Sequence, residues 1–214
     1  MTWSQAAWRA IEPVYQKILD LPFIKTLVDG TLEREKFLFY IAQDSLYLDD
    51  FAKSLAALAV KSRGFAQAGL LLGFAKEACE VERELHRSFL LDAPPLEPSP
   101  SCLLYTSYLY RQLATTSLET GLAAVLPCFW IYQRVGEHIL AQPGVPGNPY
   151  QSWIDTYGGE EYARSVAGAV SLADELATAA TPVAREEMTG SFVLASKMEW
   201  MFWDSAWRLE KWPV

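Results

Sequence analysis

Apolar residues recur at three- and four-residue steps along most of the chain, as they do on one face of an α-helix. Trp8, Ile11, Tyr15 and Ile18 follow this spacing near the start. No segment alternates apolar and polar residues for long enough to predict a strand, so we expect an all-α fold. The predicted helices cover residues 3–19, 22–30, 31–61, 64–87, 102–141, 149–157, 160–180 and 181–210.

Residues with strong local preferences mark the ends of these helices. Thr31 is predicted to cap the third helix, and Thr181 followed by Pro182 is a cap with proline at the first helical position. Four prolines in residues 92–101 predict one extended connector, which is too short to separate two domains. We therefore expect a single domain over residues 1–214.

The longest apolar segment, residues 121–140, has Leu-Pro-Cys-Phe-Trp-Ile-Tyr at its centre. Pro127 lies inside the predicted helix, where it removes a backbone hydrogen bond and should bend the helix. Cys128 follows, and Tyr132 lies one turn further on, so the thiol and the phenol share a helix face. Two interpretations stay open: a nucleophile beside a distorted turn, or a buried cysteine that packs as a small apolar side chain.

Composition excludes several classes of partner. The formal net charge is -8 and no run of basic residues interrupts it, so we expect neither nucleic acid nor anionic membrane surfaces as partners. A neutral or cationic small molecule fits this charge better. The 8 Trp, 10 Tyr and 10 Phe suit a packed core and also a pocket for a flat organic ligand.

The cysteines and histidines predict neither a disulfide framework nor a metal site. Cys79, Cys102 and Cys128 are odd in number with no CxxC pair, and His86 and His138 are the only histidines. We expect no metal and no cofactor. The chain has no signal-like start and no apolar run long enough to span a bilayer, so we expect a cytoplasmic protein.

Two acids lie among aromatic residues in the predicted helices. Asp44 shares a helical stripe with Tyr47, and Glu199 is flanked by large apolar groups. Burial would raise the pKa of such a carboxyl toward the range of a general acid or base. The alternative for each acid is an interhelical hydrogen bond or ion pair. A tyrosine on a helix face, such as Tyr105, more often packs in a core than binds a ligand.

Six short motifs follow one another along the chain. They are Asp-Gly-Thr-Leu from residue 29, Gln-Asp-Ser-Leu-Tyr-Leu from 43, Tyr-Thr-Ser-Tyr-Leu from 105, Leu-Pro-Cys-Phe-Trp-Ile-Tyr from 126, Trp-Ile-Asp-Thr-Tyr from 153 and Glu-Trp-Met-Phe-Trp-Asp from 199. This set resembles the TenA family, also called thiaminase II or aminopyrimidine aminohydrolase, over nearly the whole chain. The resemblance implies a haem-oxygenase-like helical bundle that binds no haem, and a homo-oligomer, usually a tetramer.

The resemblance also implies a reaction and a set of site residues. The family hydrolyses aminomethyl-aminopyrimidine, from damaged thiamin, to hydroxymethylpyrimidine and ammonia, and cleaves thiamin at the same carbon. By position, Cys128 resembles the nucleophile, Glu199 the acid that bonds a ring nitrogen, and Asp44 the partner of the exocyclic amine and of the thiol. The positions that resemble the family's substrate-binding tyrosines are Tyr47, Tyr105, Tyr132 and Tyr157.

Two other functions stay open from the sequence. A metal-dependent oxidase on the same fold would need an axial ligand or several histidines near the pocket. A binding or regulatory module would hold a pyrimidine without turning it over. The sequence also leaves open which pyrimidine is the physiological substrate, because thiamin and its aminomethyl and formylated relatives share the ring.

Overall fold

The computed structural model describes residues 1–81 and 97–214, and within these ranges the chain forms α-helices and no strand. The helices are α1 Trp3–Leu19, α2 Pro22–Val28, α3 Arg34–Lys61, α4 Phe65–Val81, α5 Pro100–Thr115, α6 Leu118–Leu140, α7 Gln151–Gly158, α8 Glu160–Ala179 and α9 Pro182–Arg208. The all-α prediction is confirmed. The end of the predicted helix 64–87 and the first half of the predicted connector 92–101 lie outside the described residues.

The apolar spacing predicts the bounds of α1 correctly, and the Thr181–Pro182 capping signal predicts the start of α9. α1 has its predicted bounds. At α9 the Thr181 side chain accepts a hydrogen bond from the backbone N–H of Ala184, and Pro182 takes the first helical position. A short polar side chain before a helix satisfies a backbone N–H that has no partner within the helix. None of the helices in the two described ranges is long and apolar enough to cross a membrane.

Thr31 does not cap α3, and this prediction is wrong. Gly30 turns the chain with a φ of 68°, a conformation that favours glycine. After this turn the backbone N–H groups of Thr31 and Leu32 both donate to the Thr26 carbonyl, at 2.9 and 3.1 Å. Glu33 is then the residue that precedes the helix. The glycine turn therefore delays the start of α3 past the threonine.

The prediction of a single helix over residues 102–141 is wrong, because this range holds two helices that each begin at a serine cap. Ser117 accepts a hydrogen bond from the backbone N–H of Thr120 and begins α6, so the predicted helix is in fact two. Ser99 accepts one from the backbone N–H of Cys102 and begins α5 before the predicted end of the proline-rich connector. In each case a serine side chain replaces hydrogen bonds that a continuous helix would have made.

Helix α6 lies at the centre of the bundle, where it packs against α9, α7 and α8. Most of its residues are buried, Pro127 among them, as expected of a helix that is apolar around most of its circumference. At Gly136 the helix comes so close to α7 that a Cβ built there would lie 2.6 Å from backbone atoms of Tyr157 and Gly158. This close approach places Tyr157 beside α6.

Candidate active site

The seven residues predicted for the site are all buried and come from five helices. They are Asp44 and Tyr47 on α3, Tyr105 on α5, Cys128 and Tyr132 on α6, Tyr157 on α7, and Glu199 on α9. The two acids are only 2% (Asp44) and 1% (Glu199) exposed. Carboxyl groups at this depth need hydrogen-bond partners or a proton to be tolerated.

A cavity of about 50 Å³ lies in the core and is bordered by four of the seven. Asp44, Cys128, Tyr132 and Tyr157 line it, whereas Glu199, Tyr105 and Tyr47 do not. The remaining lining residues are Leu48, Phe51, Glu77, Ala78, Phe129 and Tyr162. A cavity of this volume has room for a few water molecules. Of the predicted site residues, the thiol, one carboxyl group and two phenols thus border one small space, together with Glu77 and Tyr162.

Glu199 does not border the cavity, although its charge influences Cys128, which does. The Tyr105 hydroxyl donates a hydrogen bond to Oε1 of Glu199 at 2.7 Å. Burial raises the pKa of the Glu199 carboxyl to about 8; the Tyr105 hydrogen bond opposes this shift and the charge of Asp44 adds to it. Glu199 is therefore mostly protonated at neutral pH, which is the form that a general acid needs.

Cys128 combines features of both interpretations that the sequence left open. Its side chain is buried, like that of a core cysteine, yet it borders the cavity. Burial, and after it the charges of Glu199 and Asp44, raises the pKa of the Cys128 thiol well above its ordinary value. The thiol is therefore protonated at neutral pH, and it needs a base to take its proton if it attacks a substrate.

Asp44 accepts a hydrogen bond from a residue that the sequence analysis missed. The Tyr40 hydroxyl donates to Oδ2 of Asp44 at 3.2 Å, and Trp153 Nε1 donates to the Tyr40 oxygen at 3.2 Å. Tyr40 is fully buried. Its position one turn before Asp44 on α3 was a visible signal for this contact, but the contribution of Trp153 from α7 was not.

The predicted tyrosines pack in two pairs. The ring centroids of Tyr132 and Tyr157 lie 5.1 Å apart, and those of Tyr47 and Tyr105 lie 4.8 Å apart. The hydroxyl of Tyr47 is buried and interacts with both Tyr105 and the Cys128 thiol, and its interaction with the thiol lowers the pKa of Cys128 against the larger rise that burial causes. The Tyr47 hydroxyl therefore belongs to the same polar cluster as the thiol.

A larger cavity of about 730 Å³ adjoins the first, and the two share Glu77 and Tyr162 as lining residues. The other residues that line it are Glu80, Ser152, Asp155, Thr156, Gly159, Glu160, Glu161 and Ser165. Among the residues that the structure describes, every charged side chain that lines either cavity is acidic. The sequence analysis missed Glu77 and Tyr162, because an acidic helix half is usually a solvated face and Tyr162 carries no local signal.

No group of three or more His, Cys, Asp and Glu side chains in residues 1–81 and 97–214 is arranged to hold a metal ion. His86 lies outside these ranges, and His138 is on α6 away from both cavities. The expectation of a site without metal or cofactor stays a prediction.

The fold and the site together define a class of protein: an all-α bundle that encloses a thiol, a protonated carboxyl and a second carboxyl beside a small cavity. The chain belongs to the TENA/THI-4/PQQC family, whose model matches residues 8–209. The aminopyrimidine aminohydrolase of Bacillus subtilis strain 168 is 39% identical over 199 residues, which cover 89% of this chain and 84% of that protein. The family resemblance inferred from the motifs is confirmed.

Solved structures agree on the fold. A TenA homologue from P. horikoshii OT3 matches with a TM-score of 0.87 and 28% identity, and the match covers 97% of this chain and 99% of that one. A domain of unknown function with a heme oxygenase-like fold, from Shewanella denitrificans OS217, matches with a TM-score of 0.67 over 94% and 90% of the two chains at 15% identity. The predicted haem-oxygenase-like bundle is confirmed.

Proposed function

We propose that this protein is an aminopyrimidine aminohydrolase with thiaminase II activity. Water and 4-amino-5-aminomethyl-2-methylpyrimidine would give the 5-hydroxymethyl compound and ammonia, and thiamin would be cleaved at the same methylene carbon. The observation that carries the proposal is the cavity that Asp44 and Cys128 share, with the Glu199 carboxyl protonated at neutral pH and near enough to interact electrostatically with the thiol when it ionises.

In the proposed reaction the Cys128 sulfur bonds to a carbon of the pyrimidine ring, and the thiol proton passes to the Asp44 carboxylate. The displaced electron pair collects on a ring nitrogen, which takes the proton of Glu199. Because the thiol is protonated at rest, this step needs a base for the sulfur and an acid for the ring together. The two carboxyl groups fill these two roles.

The second half of the reaction reverses the first after water has replaced the amine. The ammonium group of the substrate gives one proton to solvent before this step, so the electrons of the adduct expel a neutral amine from the methylene carbon, and Asp44 returns its proton so that ammonia leaves. Water adds to the methylene carbon and gives a proton back to Asp44. The sulfur then leaves the ring, Cys128 recovers its proton from Asp44, and the ring nitrogen returns its proton to Glu199. A buried site favours these transfers, because fixed groups replace water around the developing charge.

Four tyrosines are assigned to substrate binding. Tyr132 and Tyr157 border the cavity, so their rings supply a flat wall for a pyrimidine. The Tyr47 hydroxyl interacts with the Cys128 thiol and would offer a hydrogen bond to a polar atom of a substrate bound beside that thiol. Tyr105 acts on the substrate through Glu199, because its hydroxyl already donates a hydrogen bond to that carboxyl group.

Replacement of Cys128 by serine tests the proposal. Cys128→Ser keeps a small polar side chain but removes the sulfur, so we expect release of ammonia and hydroxymethylpyrimidine to fall by more than about 10³-fold. Both products are measured after mixing protein with the aminomethyl substrate. Substrate binding without ammonia from the wild type would instead indicate a binding module.

A matched control separates loss of the nucleophile from damage to the core. Cys102 is also a buried cysteine, with its Sγ 3.6 Å from the Gln43 carbonyl oxygen. Cys102→Ser keeps a donor to that carbonyl and should retain near wild-type turnover. Retention of turnover by Cys128→Ser would remove the thiol from the mechanism.

The acidic cavity next to the site supports a cationic substrate. The aminomethyl group of the proposed substrate is an ammonium ion at neutral pH, and thiamin carries a cationic thiazolium ring. Clefts lined by charges of one sign concentrate ligands of the opposite sign. The hydroxymethyl product is neutral and would not be held by the same charges.

We also propose a homo-oligomer, a tetramer by family resemblance, in the cytoplasm. Several large apolar side chains at the α3–α4 turn and along α4 are exposed, with Val60 at 87%, Phe65 at 100% and Leu72 at 53%. Such residues favour contact with another chain when they form a patch. All three cysteines are free, which suits a reducing compartment.

A further inference from the structure

A fully buried tyrosine outside the cavity donates a hydrogen bond to one of the proposed catalytic carboxylates. Tyr40 has no exposed surface and does not line the cavity, yet its hydroxyl lies 3.2 Å from Oδ2 of Asp44. Its ring is held by other aromatic side chains, with Phe23 at 5.4 Å and Phe202 at 6.1 Å between centroids. The hydroxyl therefore points to the site from a fixed position.

The direction of the Tyr40 hydrogen bond follows from its neighbour on α7. Trp153 Nε1 lies 3.2 Å from the Tyr40 oxygen, and an indole nitrogen can only donate a hydrogen bond. The Tyr40 oxygen is therefore an acceptor toward Trp153, and its single proton is available for another partner. Asp44 at 3.2 Å is closer than the Tyr132 hydroxyl at 3.5 Å and accepts more strongly because it is a carboxylate.

We propose that Tyr40 is a positioning residue that holds the Asp44 carboxylate in the orientation that the reaction needs, with Trp153 orienting Tyr40 in turn. This inference rests on the function proposed above, in which Asp44 exchanges protons with the Cys128 thiol and with the amine that leaves. The chain from Trp153 to Asp44 joins α7 to α3, so the direction of the carboxylate is set by the packing of two helices. A donor to one oxygen restricts the side-chain rotation of Asp44 and so fixes the direction in which its carboxylate faces the cavity.

The experiment uses Tyr40→Phe, which removes the hydroxyl and keeps the aromatic packing. We expect kcat/KM for the aminomethyl substrate to fall at least about tenfold and the affinity for hydroxymethylpyrimidine to fall in the same sense, the scale of one hydrogen bond to a charged group. The same two quantities are measured for Tyr40→Phe in an Asp44→Ala background, which removes the acceptor of the Tyr40 hydrogen bond. If Tyr40 acts through Asp44, Tyr40→Phe should lower kcat/KM and affinity by less than about twofold in that background, because the effects of coupled residues are not additive.

Tyr150→Phe is the matched control. Tyr150 is buried, its ring lies 4.3 Å from that of Phe37, and its hydroxyl donates to the Leu32 carbonyl. The loss of this hydroxyl removes one buried hydrogen bond from the same aromatic region without touching Asp44. Turnover and affinity should stay near wild-type values. Trp153→Phe provides a second test that leaves Tyr40 in place, and its effect should also vanish in the Asp44→Ala background.

The possible outcomes separate this inference from the proposed function. An active wild type in which Tyr40→Phe has no effect, or lowers affinity equally in both backgrounds, would overturn the positioning role alone. A loss confined to the background that retains Asp44 supports it. A wild type that neither binds the pyrimidine nor releases ammonia would overturn the proposed function, and the positioning role with it.

Discussion

The Glu199 carboxyl is the group whose titration should dominate the pH profile of the site. Its pKa of about 8 keeps the proposed acid protonated at neutral pH. We expect kcat/KM to fall above about pH 8 as this proton is lost, because the profile of kcat/KM reports groups of the free enzyme. Rates of ammonia release between pH 6 and pH 10 measure this.

Glu199→Gln tests whether Glu199 causes the fall in kcat/KM above about pH 8. The amide still accepts a hydrogen bond from Tyr105 but cannot give a proton to the ring, so we expect a loss of about 10²- to 10⁴-fold in rate. The residual activity should no longer fall near pH 8. An unchanged alkaline limb in the variant would assign the titration to another group.

Glu199 should also make stability depend on pH. The folded protein holds this proton up to about pH 8, whereas the unfolded chain loses it near the ordinary value of 4.5. The folded state therefore binds more protons between these values, and the free energy of unfolding should fall as pH rises through this window and level off above it. Each pKa unit is worth about 1.4 kcal/mol, so the contribution is on the order of a few kcal/mol.

Urea unfolding at pH 5, 7 and 9 measures this contribution by comparing wild type with Glu199→Gln. The variant has no proton to lose at this position, so its stability relative to the wild type should increase from pH 5 to pH 9. If the free energies of unfolding of the two proteins change in parallel with pH, burial does not shift the pKa of the Glu199 carboxyl.

Sequence alone predicted which acids and which thiol to examine at this scale, because Asp44 and Glu199 lie among aromatic residues and Cys128 follows a proline inside a helix. It did not predict Tyr40 or its donor. The Tyr40 to Trp153 contact joins residues on α3 and α7, and no local pattern specifies which indole meets which phenol.

At the scale of the helices, the site depends on how closely α6 and α7 approach. Gly136→Ala would place a Cβ 2.6 Å from backbone atoms of Tyr157 and Gly158. Backbone cannot move aside as a flexible side chain can, so we expect a loss of about 1–3 kcal/mol in stability. Displacement of Tyr157 should also lower kcat/KM, and thermal unfolding and the ammonia assay measure the two effects.

Gly190→Ala is the control for Gly136. Gly190 lies in α9, and a Cβ built there meets nothing within 4 Å. Alanine has a higher helix propensity, so this variant should gain up to about 1 kcal/mol in stability and keep its activity. Equal behaviour of the two variants would mean that the approach of α6 to α7 is not tight.

The helix boundaries show where local signals suffice. Thr181 and Pro182 begin α9 as predicted, because the cap depends only on the next few residues. Thr31 failed, because the positive φ of Gly30 favours a turn that ends at the Thr26 carbonyl. Competition between two local signals is decided by the energy of the whole turn, which a cap rule does not include.

At the scale of the whole molecule, charge should guide the substrate. The chain has a net charge of -8, and within residues 1–81 and 97–214 every charged side chain that lines the two cavities is acidic. We expect kcat/KM for the cationic aminomethyl substrate to fall as salt rises from low to physiological concentration. Binding of the neutral hydroxymethyl product should change little over the same range.

The double variant Glu160→Gln with Glu161→Gln should weaken this salt dependence, because both side chains line the larger cavity. Glu186→Gln removes a charge from α9, borders neither of the two cavities and should leave the salt dependence unchanged. The same slope for all three proteins would show that the charge of the cavity does not guide the substrate.

The spacing of apolar residues determined the all-α class and most helix positions, because helical periodicity is a local property that each segment carries by itself. The motif order identified the family and its candidate residues for a similar reason. Only the tertiary structure decided that Cys128 and Asp44 share a cavity, that Glu199 keeps its proton at neutral pH, and that Tyr40 donates a hydrogen bond to Asp44. Burial and contacts between helices arise when the whole core closes, and desolvation then sets the protonation of groups whose sequence neighbours leave it open.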